Sequence, residues 1–280
     1  MIRTATTLTL MLASTLAMAA LPDHRPVPGG VAVVDLGKAD GTRPDATFRD
    51  RSVLVRQHDG HWKAVVGIGL DASPGEAGVE AGDDTFGFTI SDRDYAEQRI
   101  TLDDDEQVSP GEDTLRRIRR EHEEIHAARD TFSAREPETL SLVLPVEGRF
   151  SSPFGLRRYF NDQPRNPHSG LDIANDTGTP IAAPAEGKVI ETGDYFFNGK
   201  TVFLDHGNGF VTMYCHLDEI HVQTGDRITK GDTMGTVGAT GRVTGPHLHW
   251  TVYLNGQAVD PLLFVDGEDE SYNEAGGQGG

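Results

Sequence analysis

Across residues 141–265 the sequence offers short β-rich runs separated by glycine turns and almost no helical period. Gly187-Lys188-Val189-Ile190, Val202-Phe203-Leu204-Asp205, Phe210-Val211-Thr212-Met213-Tyr214 and Trp250-Thr251-Val252-Tyr253-Leu254 are each long enough for a strand and too short for an ordinary helix. Such a stretch buries its apolar side chains only by pairing strands, so the expected fold class is mainly β, with an antiparallel sheet in this half. Residues 28–107 read the same way. Val31-Ala32-Val33-Val34, Val53-Leu54-Val55 and Trp62-Lys63-Ala64-Val65-Val66 are strand candidates, and Asp59-Gly60 between the last two is a two-residue hairpin signal. Phe86-Gly87-Phe88-Thr89-Ile90 and Gln98-Arg99-Ile100-Thr101-Leu102 continue the pattern, which fits a small β-sandwich-like accessory domain over 20–111.

Between the halves, residues 112–131 have helical spacing, with Leu115, Ile118 and Ile125 on one stripe and a mixed Arg/Glu remainder. This reads as a connecting helix. Residues 1–19 carry Arg3, an apolar run and Ala17-Met18-Ala19, the charge, core and cleavage site of a secretory signal peptide. The residues from 266 to 280 are acidic and Gly-rich and read as a disordered tail. No other run approaches the ~18 apolar residues of a membrane span. The expectation is a periplasmic or secreted monomer without a stable membrane anchor.

The formal net charge of −19 repels polyanions and excludes a nucleic-acid partner held by a basic patch. The single cysteine, Cys215, cannot form an internal disulfide and reads as a small apolar residue facing the core.

Two sets of histidines compete as metal sites. His122-Glu123-Glu124-Ile125-His126 matches the His-Glu-x-x-His pattern, in which one helical turn sets two imidazoles on one face beside a general base. Charged neighbours on every side, including Arg116, Arg117, Arg119 and Arg120, read instead as a solvated helix. The second set lies in the β half. In Gly245-Pro246-His247-Leu248-His249-Trp250 strand alternation points His247 and His249 to one face and Leu248 to the other. His168 and Asp172 are the upstream partners. A straight strand would hold them roughly 13 Å apart, so Pro167 and Gly170 suggest a bulge or turn that brings them to a common point. With His216 this makes four imidazoles and a carboxylate, more than packing requires. Two imidazoles and a carboxylate with an open position suit a catalytic zinc, and they also match the facial triad of iron oxygenases.

These residues resemble the lysostaphin/LytM-type zinc metalloendopeptidases of bacterial cell walls. The matching segments run in order from Ser151-Ser152-Pro153-Phe154-Gly155 and His168-Ser169-Gly170-Leu171-Asp172 through Gly178-Thr179-Pro180-Ile181 and Ala183-Pro184-Ala185-Glu186-Gly187-Lys188-Val189. They continue with Tyr214-Cys215-His216-Leu217, Gly238-Ala239-Thr240-Gly241-Arg242, Gly245-Pro246-His247-Leu248-His249 and Asp260-Pro261. The resemblance implies one zinc ion per chain on His168, Asp172 and His249, with His216 and His247 unligated and catalytic. It implies a LytM-type peptidase domain over 141–265, peptidoglycan stem peptides as substrate and a groove walled by loops. Some relatives have lost ligands and activate amidases without turnover; all five positions are filled here, which favours catalysis. A protease for Gly-rich proteins is the other enzymatic reading. Tyr159 and Asn161 fall in a loop that could wall the groove, and the helix at 112–130 and the N-terminal domain could lie over it and restrain activity.

Overall fold

The computed structural model describes residues 20–100, 111–160, 163–164 and 166–267. The signal-peptide segment, Asn161 and the tail beyond 267 lie outside the described residues. Among the described residues no helix is long and apolar enough to cross a membrane.

The C-terminal half is built on a ten-stranded sheet. Its main path runs Arg227–Ile228, Gly187–Tyr195, Gly199–Gly207, Phe210–Ile220, His247–Leu254, Leu171–Ala174 and Arg149–Ser152, each neighbour antiparallel to the next. Alternation sorts the central strand into two faces. Leu248, Trp250, Val252 and Leu254 are fully buried in the main core with Leu171, Ile173, Tyr214 and Leu217. His247, His249, Thr251 and Tyr253 therefore share the opposite face.

The N-terminal half is a sandwich of a three-stranded sheet, Val31–Lys38, His61–Gly67 and Leu54–His58, and a four-stranded sheet, Arg51–Ser52, Ala46–Phe48, Gly75–Ala81 and Asp84–Ile90. The Asp59-Gly60 turn has φ of 49° and 73°, the two left-handed residues that a tight hairpin needs. Three-residue apolar runs mean that both faces of the first sheet are buried. Ala32, Val34, Val55, Ala64 and Val66 pack toward the second sheet. Val31, Leu54 and Val65 belong instead to the core of the C-terminal sheet. Each such side chain contributes on the order of 1.5–3 kcal/mol when buried, so the N-terminal half is joined to the C-terminal half through a shared core. Asn255 seals the seam: its amide accepts from Gly67 N–H at 2.7 Å and donates to the Gly67 carbonyl at 3.0 Å.

A second junction lies beside the groove. The strand Glu97–Ile100 pairs in parallel with Arg157–Phe160. Tyr159 is held there, its ring under the Arg99 guanidinium at 4.3 Å and its hydroxyl donating to Glu97 at 3.3 Å. It thus serves the junction and does not line the groove described below.

The helix Glu112–Arg129 carries Glu112 and Asp113 in its first turn and His126 and Arg129 in its last, matching the helix dipole. Its buried stripe differs from the expected one. Leu115 is exposed, whereas Ile118, Glu121 and Ala128 are buried. Glu121 is tolerated inside because its carboxylate accepts from Phe196 N–H at 2.9 Å and pairs with Arg117.

Candidate metal centre

Sheet register assembles the centre. His249 lies directly opposite Asp172 on one side and Cys215 on the other. His168 precedes the strand Leu171–Ala174 and is anchored by its own backbone: its N–H donates to Leu156 O at 2.9 Å and its carbonyl accepts from Gly155 N–H at 2.8 Å. Gly170 has no left-handed torsion. It is required by close approach, since a Cβ there would lie 2.5 Å from Trp250 O and 2.8 Å from His249 Cε1. The expected turn at Gly170 is a tight crossing against the neighbouring strand.

His168 Nε2, Asp172 Oδ1 and His249 Nδ1 converge, with separations of 3.0, 3.0 and 2.8 Å. Hydrogen bonds on the far side of each ring decide what those atoms offer. His168 Nδ1 donates to Pro153 O at 2.7 Å, a carbonyl that can only accept, so Nε2 keeps its lone pair. His249 Nε2 lies 3.0 Å from Thr251 Oγ1, which as acceptor leaves Nδ1 with its lone pair. Three acceptor atoms this close repel one another unless a cation or proton sits between them. A tetrahedral ion with bonds of about 2.0–2.1 Å has ligand–ligand edges of about 3.3 Å, close to the triangle seen here. The residues therefore fit a metal ion, and these three form the described cluster able to hold one.

His216 and His247 stand beside the triangle. Their ring centroids are 4.9 Å apart, and His247 Nε2 is 3.7 Å from Asp172 Oδ1. His216 Nδ1 donates to Thr240 O at 2.9 Å and His247 Nδ1 to Gly245 O at 2.9 Å, so both present Nε2 lone pairs. His216 has a left-handed φ of 65°, an uncommon backbone state held by its N–H bond to Asn198 O at 2.9 Å.

With a proton on His168 or His249 in place of a cation, their charge and hydrogen bonds outweigh burial, which would raise the Asp172 carboxyl, and hold it well below the ordinary carboxylate range. Burial and the neighbouring imidazoles of His249 and His247 push His216 down to about 3, which keeps it neutral. Burial also lowers His249. The Cys215 thiol is pushed up to about 12 by burial, which leaves no thiolate nucleophile at neutral pH.

The centre opens into a groove of about 570 Å³. Among the described residues that line it, Asp172 is the one carboxylate, although the whole chain is strongly acidic. One wall is the helix: Ala128 and Ile125 pack with Met213, Cys215 and Tyr253 on the sheet face that carries the histidines. His122, Ile125, His126 and Arg129 consequently face the groove. The expected connecting helix thus also borders the groove, and the His122/His126 pair lies on it outside the triangle of His168, Asp172 and His249. Arg242, stacked over Phe197 at 4.2 Å, is on the lining as well, and Gln98 reaches it from the N-terminal half. The orienting acceptors Pro153, Thr240 and Gly245 leave no signal in the sequence because each acts through a backbone carbonyl.

Comparison with known proteins fits this geometry. The model of the family described as Peptidase family M23 matches residues 166–261, and that of the Peptidase family M23 N-terminal domain matches 24–93, within the β-sandwich half. Peptidoglycan DD-endopeptidase ShyA of Vibrio cholerae is 39% identical over 121 residues, 42% of this chain and 28% of that protein. DD-carboxypeptidase/endopeptidase Mpg of Neisseria meningitidis is 40% identical over 117 residues, 42% of this chain and 27% of that protein. The chain thus spans little more than a quarter of the length of these curated relatives. The crystal structure of a candidate M23 peptidase from Pseudomonas aeruginosa is 46% identical, covers 86% of this chain and 95% of that one, and superposes with a TM-score of 0.74. On a likeness that spans both halves at this identity, the chain belongs to peptidase family M23.

Proposed function

We propose that this protein is a zinc-dependent endopeptidase that hydrolyses peptide cross-links of bacterial peptidoglycan, acting in the periplasm or outside the cell. The observation that carries the reading is the convergence of His168 Nε2, Asp172 Oδ1 and His249 Nδ1, with the His168 ring held from behind by the Pro153 carbonyl and the His249 ring by the Thr251 hydroxyl. The names of the relatives as peptidoglycan endopeptidases support the substrate class. The charge and apolar pattern of residues 1–19 supports export.

His168, Asp172 and His249 would hold the ion. The chemistry supplied by a bound zinc ion is polarisation of the scissile carbonyl and acidification of a water toward about 7. His216, neutral and with Nε2 facing the centre, accepts a hydrogen bond from the attacking water and aims its oxygen at the carbonyl carbon. His247, more open to solvent, takes the water proton at Nε2 and passes it to the amide nitrogen as the C–N bond breaks. While protonated, it also donates toward the oxyanion that develops on the carbonyl oxygen.

Mass spectrometry of purified sacculi incubated with the chain tests the reading, with His168→Ala as control. Loss of cross-linked dimers with the wild type alone is expected and names the bond; unchanged sacculi after zinc loading would refute it.

A further inference from the structure

The helix wall carries a feature that hydrolysis leaves unused. His122 and His126, one turn apart, set two imidazoles side by side on the groove, with ring centroids 5.9 Å apart and planes 9° from parallel. Both residues are exposed. Among the described residues neither ring has a hydrogen-bond partner, in contrast to the four histidines of the centre, each of which is tied down.

We propose that His122 and His126 chelate a second transition-metal ion, zinc in the first instance, on the groove wall, and that this ion obstructs the substrate path when zinc is abundant. Histidines at i and i+4 lie on one helix face and reach a common ion after a small rotation of exposed rings. Neutral imidazole is a ligand for zinc, copper and nickel alike. The last turn of the helix, where His126 sits, presents the negative end of the dipole to a cation. Arg129 also faces the groove, but its Nε donates to Asp130 at 3.0 Å, which offsets its charge near the pair. With two protein ligands and water for the rest, the site binds more weakly than the three-ligand centre, so it fills second. The binding itself stands on the helix geometry; the obstruction rests on the hydrolytic reading above.

Equilibrium dialysis of the purified chain against zinc, with inductively coupled plasma detection, tests the proposal on wild type, His122→Ala, His126→Ala and His168→Ala. Alanine at exposed helix positions keeps the helix intact. Two classes of zinc are expected in the wild type. Each helix substitution removes the chelate and weakens the second class by about 100-fold, while His168→Ala removes the tight class and leaves the second. Sacculus turnover in excess zinc, relative to each protein's own rate at one equivalent, should fall for the wild type and hold for the helix variants. A second class that is absent from the wild type, or that survives both helix substitutions, overturns the site. Equal inhibition of wild type and variants overturns the obstruction. If no protein cleaves sacculi the hydrolytic reading fails, and the dialysis still decides the site.

Discussion

At the scale of single residues, the centre depends on what is missing as much as on what is present. Gly170 leaves room for His249 to reach Asp172, and a methyl there would press on Trp250 O and the His249 ring. Gly170→Ala is expected to lower stability by about 1–3 kcal/mol and to cut the metal content of the purified protein; a thermal melt and metal analysis check both. His206 offers a pH test away from the centre. It is buried, with Nδ1 donating to Glu186 O at 2.8 Å and Nε2 accepting from Thr212 at 2.9 Å, and burial depresses it from 6.5 to about 4. Between those values the unfolded chain binds the extra proton and the folded chain does not. Stability therefore falls as pH drops from 6.5 toward 4, by about 3 kcal/mol from this group. In urea titrations at several pH values, His206→Gln should lose that share of the slope.

At the scale of elements, the helix decides the shape of the groove, and it is the element that the sequence rendered least well. Its strands were readable because each is a β-rich run ended by a glycine turn, and the ligand face was readable because His247 and His249 straddle Leu248. The face the helix buries was hidden for a physical reason: that stripe includes Glu121, whose carboxylate is there to accept from a backbone N–H of a strand end far along the chain. No periodicity of apolar residues records such a bond. The orienting carbonyls of Pro153, Thr240 and Gly245 are equally silent, since any residue supplies one. Glu121→Ala should cost about 1–3 kcal/mol by leaving the Phe196 N–H without its acceptor, while Glu121→Gln, which keeps an acceptor oxygen, should recover most of it. Chemical denaturation of the two variants side by side separates the outcomes.

At the scale of the whole molecule, the halves share one core, so they are expected to unfold together. The chain has two tryptophans, Trp62 on the three-stranded sheet and Trp250 at the centre of the large one. Replacing each in turn by Phe leaves one fluorescent reporter per half, and the two midpoints in urea should coincide within error; separate transitions would show that the shared core does not couple the halves. The sheet with two buried faces has a further consequence for how such a chain can be altered. A recombinant enzyme that borrows its C-terminal half from another relative inherits a surface that must accept Val31, Leu54 and Val65, and must offer an amide where Asn255 clasps Gly67. Crossovers placed between the halves are thus the ones least suited to shuffling, and exchange succeeds best where the cut lies inside a groove loop and leaves both sides of the seam from one parent.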